Sequence, residues 1–567
     1  MKCYYGVDFK EQREKLLKSD AAQIIIKNVI TRADDALNEE YKALKISDYM
    51  LFIQTGDRKS FEREYFKRRN NCSYISVAYW LTEDEKYKKH LTDLIFHICD
   101  EYTWCLPAHA DLGDKPGVEE ILGKIDLFQA ETGRLLTDIY IMLSDKLPYY
   151  VKNRIEYELR RRIIVPVQTR SYWWENELCT NNWSAVCAGG TGVTVLHFAT
   201  DEEKKKILPL LDGAMKTFLK GFRDDGCCLE GYAYWNYGFG YYLIYAMAML
   251  DYSNGEVNMF DNPKVKQIAF YPQRTRMGQT KTVSFSDGGN VFTFSPGIFS
   301  LLRKVYGKEF QYPPLSLATN RGNVYSVREL LWFDTEYEED KDAYSTTFFK
   351  DSEWYVKRSE HYSFAAKGGN NNEPHNHNDV GSFMIIAKDD SMPLADLGAA
   401  IYRKETFESE HRYKLLNNSS RGHSVPVING EYQGAEKDYY KAKNVKAGED
   451  FFEADIEDAY EKGLVKRINR RFELKEKSIV LCDTFVYSDK TGEVTERLIS
   501  LVKPKVSDGC IDLNSVKVMF DEKKYTVGIS SDSYRNHADT ADVDVYIIDF
   551  KGKDKKETEF KFEISVV

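Results

Sequence analysis

The first part of the chain, to about residue 330, places apolar residues at helical spacing. Residues 73–94, 115–143 and 202–222 repeat an apolar position every three or four residues, which is typical of amphipathic helices. No fixed-period repeat is visible, so the pattern predicts sequential helical hairpins, each burying its apolar face against its neighbours. Proline and glycine are expected to punctuate these helices at Pro107, Gly113, Pro148 and residues 189–192.

From about residue 340 the pattern changes to short runs rich in β-branched and aromatic residues. Such runs predict strands over residues 354–357, 382–387, 478–486 and 543–550, with turn residues such as Asn429-Gly430 between them. Helices first and strands afterwards favour two segregated domains. We therefore expect an α+β multidomain chain with a helical domain over residues 1–335 and an antiparallel β domain over residues 336–567.

Composition and charge narrow the possible partners. The net charge of -10 argues against a nucleic-acid binder, although a local basic pocket can still bind an acidic sugar. The start of the chain lacks the apolar core of a signal peptide, no apolar run is long enough to cross a membrane, and the 10 cysteines lack metal-type spacing. These features predict a cytoplasmic protein. The 14% aromatic content suits a carbohydrate cleft as well as it suits an ordinary core.

The segment from Gly368 to Phe383 is the most informative part of the sequence. Two of only 10 histidines, His375 and His377, lie two positions apart in a polar stretch bounded by glycine. In an extended strand, residues two apart point to the same face, so both imidazoles are expected to serve one site. The alternative is a solvated loop with an incidental pair, but the apolar run that follows suggests a strand entering the core.

A metal-type set follows from two residues further along the chain. Asp396 and His423, taken with His377, supply two imidazoles and a carboxylate, which is a suitable zinc set with an open or water-filled fourth position. Ligands on separate strands have no diagnostic spacing, however. Asp396 is otherwise interpreted as a turn residue, and His423 as a hydrogen-bonded residue at a strand end.

Two further segments belong to the helical part. Asn181 and Asn182 precede a predicted helix over residues 186–196, so they form either its N-cap or an amide donor at the mouth of a cleft. Tyr234, Tyr237 and Tyr241 have the spacing of one helix face. Glycines at 231, 238 and 240 leave little side-chain cover there, which favours a lined cleft over a sealed core.

Taken in order, these motifs resemble the heparinase II/III-type polysaccharide lyases. The matching patterns are Asn-Asn-Trp at 181–183, Glu-Gly-Tyr-x-Tyr-Trp-x-Tyr-Gly from Glu230, and His-Asn-His-x-Asp-Val-Gly-Ser-Phe from His375. The resemblance runs from about residue 75 to residue 435. It implies an incomplete (α/α) toroid followed by an antiparallel β-sandwich, and β-elimination at a uronic acid.

The resemblance also implies roles for individual residues. Asn182, with Asn181 as second candidate, neutralises the uronate carboxylate. His375 and one of Tyr234 and Tyr237 act as base and acid. A structural zinc ion held by His377, Asp396 and His423 braces the segment that carries His375. The expected substrate contacts are Trp183, Trp235, Glu230, Tyr402, Arg412 and Tyr413.

The expected substrate is an acidic oligo- or polysaccharide, with glycosaminoglycan or heparan-sulfate-type oligosaccharides favoured. Lyase action on alginate or another uronide is an alternative. A glycoside hydrolase on a similar toroid would need two carboxylates, for which Asp126 and Glu230 are available, yet it would leave the His-Asn-His segment unexplained. A non-catalytic glycan-binding protein and a metallohydrolase are further alternatives. The oligomeric state stays open, with a homodimer as one option.

Overall fold

The computed structural model describes residues 3–110, 124–318, 327–341, 343–402, 406, 408–536, 541–553 and 558–567. Gly113 and the first part of the helix expected over residues 115–143 therefore lie outside the described residues. The chain forms two compact units. The helical unit contains residues 1–221, 236–266 and 293–340, and the strand unit contains residues 222–235, 267–292 and 341–567. Two short segments from the N-terminal part thus belong to the strand unit.

The helices occupy almost all of the regular structure before residue 340. They are α1 (Phe9–Lys18), α2 (Asp20–Ala36), α3 (Ile46–Thr55), α4 (Lys59–Thr82), α5 (Lys86–Cys99), α6 (Leu127–Met142), α7 (Tyr149–Leu159), α8 (Val165–Thr169), α9 (Asn182–Phe198), α10 (Asp201–Lys220), α11 (Tyr232–Tyr234), α12 (Gly240–Tyr252), α13 (Pro263–Ala269), α14 (Tyr271–Thr275), α15 (Pro296–Tyr306), α16 (Val327–Leu331) and the later α17 (Ser409–Arg412). Within the described residues, no helix is both long enough and apolar enough to span a bilayer.

Local chemistry explains where several of these helices begin and end. Thr200 caps α10 through a reciprocal pair with Glu203, close to the start predicted at residue 202. The helix expected over residues 73–94 is instead divided between α4 and α5, because Glu83 adopts a left-handed conformation with φ 58° and ends α4. Pro148 immediately precedes α7 and is its N-cap, as its punctuating role predicted.

The glycines at 189–192 do not punctuate a helix, contrary to the prediction. They lie inside α9, which packs against α6, α10 and α12. A Cβ atom on Gly190 would lie 2.6 Å from the carbonyl oxygen of Ala130 in α6, and one on Gly189 would lie 2.7 Å from that of Tyr241 in α12. These glycines therefore allow close backbone approach at the centre of the helical unit.

A π-helical turn over Trp235–Phe239 separates α11 from α12. The extra residue per turn shifts the side-chain register. The rings of Tyr237 and Tyr241 still meet, with centroids 5.9 Å apart, whereas the hydroxyl of Tyr234 pairs with that of Tyr402, so the predicted common face holds for Tyr237 and Tyr241 but not for Tyr234. Two of the neighbouring glycines, which were predicted to line an open cleft, instead allow close packing against other segments. A Cβ on Gly231 would lie 2.5 Å from Gly288, and one on Gly238 would lie 3.0 Å from the ring of Phe218.

All sixteen strands of the described chain follow residue 344. They are β1 (Ser345–Phe349), β2 (Trp354–Arg358), β3 (Tyr362–Lys367), β4 (Phe383–Ala387), β5 (Val427–Ile428), β6 (Lys443–Ala447), β7 (Phe451–Asp455), β8 (Arg467–Leu474), β9 (Ser478–Val486), β10 (Val494–Ser500), β11 (Lys505–Ser507), β12 (Cys510–Asp512), β13 (Val516–Met519), β14 (Tyr525–Tyr534), β15 (Val543–Gly552) and β16 (Glu559–Val566). Four of them, β2, β4, β9 and β15, coincide with the four predicted strand segments to within about two residues.

The strands form three antiparallel sheets with the orders β1-β2-β3-β4, β14-β15-β10-β5 and β11-β12-β13-β16-β9-β8-β7-β6. One continuous apolar core joins them, since Phe383 of the first sheet, Ile548 of the second and Phe472 of the third belong to the same buried cluster. Asn429 and Gly430 both have positive φ and form the tight turn after β5, as predicted.

Candidate active site

His375 lies in a loop rather than in the strand that its alternation with His377 predicted. Residues 368–382 adopt turns and bends, and the strand that follows, β4, begins only at Phe383. His375 itself has φ 55°, a left-handed backbone conformation that is uncommon for residues other than glycine. The two imidazoles are nevertheless brought together, because both meet a third residue.

That third residue is Asp287, which was not identified from the sequence. Its Oδ2 atom lies 2.7 Å from Nδ1 of His375, and its Oδ1 atom lies 3.0 Å from Nε2 of His377. The hydroxyl of Tyr402 donates to Oδ2 at 3.1 Å, and the guanidinium of Arg412 lies 3.5 Å from both oxygens. A buried carboxylate with this set of donors is the centre of the site.

Only a weak signal in the sequence marks Asp287. It occupies the turn Ser286-Asp287-Gly288-Gly289, and an acidic residue in a glycine-rich turn is common at protein surfaces. Here the turn is buried, and Gly231 and Gly398 both approach the backbone of Gly288 too closely for any side chain. The packing of this turn, which depends on distant segments, is what makes Asp287 part of the site.

The partners of Asp287 determine the charges in the site. Burial alone would raise the pKa of Asp287, but the hydrogen bonds from His375 and His377 hold that pKa far below its usual range. Burial alone would lower the pKa of His375, whereas the hydrogen bond to Asp287 and the charge of Glu230 raise it overall. Asp287 is therefore ionised, and the proton shared with His375 resides on Nδ1 of the imidazole.

Tyr234 and Tyr402 form a short chain of hydroxyls that ends on the same carboxylate. The two hydroxyl oxygens are 2.9 Å apart, and the ring of Tyr234 lies 4.9 Å from the ring of His375 between centroids. Burial raises the pKa of Tyr234 above its ordinary value, although the bond with Tyr402 opposes this. Tyr234 is thus a protonated phenol beside the imidazole of His375.

Arg412 and Tyr413 hold the histidine loop from behind. Arg412 donates to the carbonyl oxygens of Asn376 and Thr406, each at 3.0 Å, and Tyr413 donates to the side chain of Asn376 at 3.2 Å. Trp235 is only 1% exposed and donates to the carbonyl of Ile268, so it offers no ring face to a sugar in this conformation. Glu230 is half-buried, and burial raises its pKa.

His377, Asp396 and His423 converge, as the family resemblance implied. One ligand atom from each lies within 4.8 Å of the others, and all three side chains are fully buried. Each of the three side chains also has a partner outside the triad: Asp287 accepts from Nε2 of His377, the carbonyl of Asn417 accepts from Nε2 of His423 at 2.8 Å, and Ser382 donates to Oδ2 of Asp396. Within the triad, Nδ1 of His423 lies 2.9 Å from Oδ2 of Asp396.

Two inward atoms of this triad, Nδ1 of His377 and Oδ1 of Asp396, are buried without a hydrogen-bond partner among the described residues. Buried polar atoms are rarely left without a hydrogen-bond partner. A cation bound by these two atoms would explain why they have none. Two imidazoles and a carboxylate, each held by a further hydrogen bond, have the donor chemistry of a zinc site.

In the helical unit, Asn181 is the N-cap of α9, as one of the two interpretations predicted. Its side-chain oxygen accepts from the backbone N–H of Trp183 at 3.1 Å. Asn182 begins the helix and is half-buried, with its Cβ against Gly238. Trp183 is also half-buried, and its ring contacts the rings of His109 and Trp173, each with centroids 4.8 Å apart.

Tyr237 belongs to the helical unit and has a different environment from that of Tyr234. Its hydroxyl donates to Glu131 at 2.6 Å, and burial raises the pKa of both groups. The hydrogen bonds of Tyr234 all lead toward Asp287, whereas that of Tyr237 leads to Glu131. The structure therefore separates the two tyrosines that the sequence left as equal alternatives.

Comparison with known proteins identifies the region that carries this site. Residues 342–563 match the family model described as Heparinase II/III-like, C-terminal. These residues form a heparinase II/III-like C-terminal domain. The match contains His375, His377, Asp396 and His423 together with all the strands through β15, and it confirms the family resemblance for this part of the chain. No curated protein sequence matches the chain significantly.

Solved structures extend the similarity beyond the heparinase II/III-like domain to the whole chain. Heparan sulfate lyase HepC from Pedobacter heparinus is similar over 98% of this chain and 87% of its own, with 13% identity and a TM-score of 0.61. A heparinase III gene product is similar over 95% and 84%, with 14% identity and a TM-score of 0.63. Chondroitin AC lyase from Streptomyces coelicolor A3 is similar over 98% and 82%, with 9% identity and a TM-score of 0.55.

At these identities the similarity establishes the fold. The predicted helical toroid followed by antiparallel β-sheets is confirmed.

Proposed function

We propose that the chain is a polysaccharide lyase that cleaves uronic-acid-containing glycans by β-elimination. The observation that carries the proposal is the imidazole of His375, fixed through Nδ1 by the buried carboxylate of Asp287 and placed beside the phenol of Tyr234. The heparinase II/III-like domain and the fold shared with heparan sulfate and chondroitin lyases support it.

His375 is the proposed base. In the neutral imidazole, whose proton on Nδ1 is directed to Asp287, the lone pair of Nε2 is available, and no described residue hydrogen-bonds to that atom. In β-elimination this nitrogen takes the C5 proton of the uronate. The electrons of the C5–H bond form the C4–C5 double bond, and the bond between C4 and the bridging oxygen breaks.

Tyr234, rather than Tyr237, is the proposed acid. The raised pKa of Tyr234 keeps its hydroxyl protonated, and a protonated phenol can give its proton to the departing O4 oxygen. Tyr402 donates to Asp287 and has an oxygen 2.9 Å from that of Tyr234, so it can accept from Tyr234 in the resting site and hold its orientation.

Zinc at His377, Asp396 and His423 is part of the proposal. A zinc ion there would supply a structural brace, since β-elimination needs no metal-activated water. The three side chains are fully buried beneath the loop that carries His375, and His377 reaches the same carboxylate as His375 does. Metal analysis of the purified protein after dialysis tests this assignment.

The proposed substrate class is an acidic glycan of the glycosaminoglycan type, because the similar solved structures include enzymes whose names specify heparan sulfate and chondroitin. Asn182 remains the residue that the family resemblance assigns to the uronate carboxylate. Its side-chain amide can donate a hydrogen bond to the uronate carboxylate, and because the amide is uncharged it does not bind the ground state of the substrate too tightly. Substrate affinity of an Asn182→Ala variant tests this role.

The test of the function is ultraviolet absorbance over time with heparan sulfate, chondroitin sulfate, hyaluronan and alginate. A lyase produces a C4–C5 double bond that absorbs in the ultraviolet, whereas a hydrolase produces new reducing ends without that chromophore. We expect absorbance and reducing ends to rise together on at least one glycosaminoglycan. New reducing ends without absorbance would overturn the lyase assignment in favour of a hydrolase.

A further inference from the structure

Asp287 contacts the proposed base and the metal-type triad at the same time. Its Oδ2 atom meets Nδ1 of His375 and its Oδ1 atom meets Nε2 of His377. His377 belongs to the triad, while His375 does not. One carboxylate therefore accepts from two imidazoles that have different proposed tasks, and no other described residue hydrogen-bonds to both of them.

The geometry assigns a protonation pattern to each ring. An ionised carboxylate only accepts hydrogen bonds, so His375 carries its proton on Nδ1 and His377 carries its proton on Nε2. His375 is left with a free Nε2, the atom that proton abstraction requires. His377 is left with a free Nδ1, the buried atom that has no partner among the described residues and belongs to the triad.

The backbone around Asp287 leaves this carboxylate little freedom. A Cβ on Gly231 would lie 2.5 Å from Gly288, and one on Gly398 would lie 2.1 Å from the carbonyl oxygen of Gly288. That carbonyl accepts the N–H of Ala399 at 3.1 Å, and the hydroxyl of Ser284 donates to the carbonyl of Asp396 at 2.8 Å. The turn that carries Asp287 is thus tied directly to the segment that carries the triad's carboxylate.

We propose that Asp287 is a positioning residue that couples the two sites, setting the tautomer of His375 for catalysis and that of His377 for metal binding. This inference rests on the proposed function for its catalytic half only. Its metal half concerns the residues of this chain and is measured without substrate. Loss of the one carboxylate is expected to disturb both sites, although neither His375 nor the triad is itself changed.

The test uses Asp287→Asn in the full-length protein, compared with Asp455→Asn. Asp455 is a buried carboxylate of the same unit that accepts from Arg467 and Asn469 instead. An asparagine at 287 keeps the shape but is uncharged and carries an NH2 group in place of one oxygen, so neither imidazole keeps the carboxylate that sets its tautomer. Zinc affinity is measured by competition with a chromophoric chelator, and histidine tautomers by nitrogen-15 chemical shifts, with His375 assigned from the spectrum of His375→Ala.

We expect Asp287→Asn to lower zinc affinity about tenfold to a hundredfold. It should also abolish the Nδ1–H signature of His375 and lower kcat far more than it changes KM. Asp455→Asn should keep the zinc affinity and the His375 signature of the wild type. Unchanged zinc affinity in Asp287→Asn, or an intact Nδ1–H signature of His375, would overturn the coupling.

Two further measurements keep the outcome clear. If Asp287→Asn does not fold, the wild-type spectrum alone decides the tautomers, since an Nε2–H form of His375 contradicts the proposal. If the wild type cleaves no glycan, the proposed function fails, yet zinc affinity and the nitrogen-15 shifts still test Asp287. A wild type that does not bind zinc overturns the metal half of the coupling.

Discussion

The Glu101 cluster of the helical unit and the Asp287 cluster of the strand unit both surround a buried carboxylate, but with different partners. Glu101 meets the guanidinium groups of Arg68 and Arg69 at 3.2 and 2.7 Å. Asp287 meets two imidazoles and a phenol, with the guanidinium of Arg412 further away at 3.5 Å.

Arginine has no accepting atom and stays charged, so the Glu101 cluster offers no lone pair that could take a proton from a substrate. An imidazole that donates from one nitrogen presents a lone pair on the other. The Asp287 cluster therefore holds reactive atoms in fixed positions while its own charge is satisfied. A buried carboxylate with arginine partners thus stabilises the fold of the helical unit, whereas a buried carboxylate with imidazole partners positions reactive groups in the strand unit.

The largest expected effect comes from removing the reactive atom of the Asp287 cluster. His375→Ala should lower kcat by about a hundredfold to ten-thousandfold, the usual contribution of a general base. His361→Ala is the matched control, because His361 is half-buried in the same unit and its ion pair among the described residues is with the exposed Glu476. Initial rates of ultraviolet absorbance on the cleaved glycan measure both variants. A His375→Ala rate near that of the control would remove His375 from the mechanism.

Removing a partner from the Glu101 cluster should instead change stability. Arg69→Ala leaves the buried Glu101 with an incomplete set of donors and should lower the free energy of unfolding by about 3–5 kcal/mol. Arg63→Ala in the same helix, whose side chain is 73% exposed, should change it by less than about 1 kcal/mol. Urea unfolding measures both. Equal midpoints for the two variants would show that the Glu101 cluster does not stabilise the helical unit.

A third buried carboxylate, Glu329 of the helical unit, accepts from neutral donors alone among the described residues. Burial raises its pKa to about 7, while Ser295 and the N–H of Gly297 oppose this by hydrogen bonding. Because the folded pKa exceeds the unfolded one, the stabilisation by the bound proton is complete below the unfolded pKa and is lost as pH rises through about 7.

Glu329→Gln should remove this pH dependence. Between pH 5 and pH 8 the wild type should lose up to roughly 3 kcal/mol relative to the variant, since each pKa unit corresponds to about 1.4 kcal/mol. Urea unfolding at both pH values measures the difference. A constant difference between the two proteins would show that Glu329 is ionised throughout.

The smallest effect tests the glycine packing of α9. Gly190→Ala should destabilise the chain by about 1–3 kcal/mol, because the new methyl group would lie 2.6 Å from a backbone oxygen of α6. Gly213→Ala in α10 is the matched control, since a Cβ there meets nothing within 4 Å. It should stabilise the chain by about 0.5–1 kcal/mol through helix propensity alone. Thermal unfolding that ranks the two variants in the opposite order would contradict this packing.

Features set by local sequence were the ones that could be predicted. The cap at Asn181, the strand over Ser478–Val486 and the turn at Asn429 depend on neighbouring residues, and the structure has them where they were expected. The glycines of α9 and the π-helical turn after Tyr234 were missed, because both depend on how distant helices pack.

The residues of the site likewise divide into those that could be predicted and one that could not. His377, Asp396 and His423 were found through the family resemblance, although nothing in their spacing sets their geometry. Asp287 was missed because its partners His375 and Tyr402 lie 88 and 115 residues away in the chain. A carboxylate in a glycine turn becomes recognisable only when the fold brings two imidazoles to it.

The central claim is that the Asp287 cluster, with Tyr234 beside His375, carries the chemistry. The most direct test compares Tyr234→Phe with Tyr237→Phe by ultraviolet absorbance on the glycan that the wild type cleaves. Each substitution removes one hydroxyl and keeps the ring. We predict that Tyr234→Phe lowers kcat by at least about a hundredfold, while Tyr237→Phe keeps kcat within about tenfold of the wild type. Loss of turnover in Tyr237→Phe with activity retained in Tyr234→Phe would contradict the account.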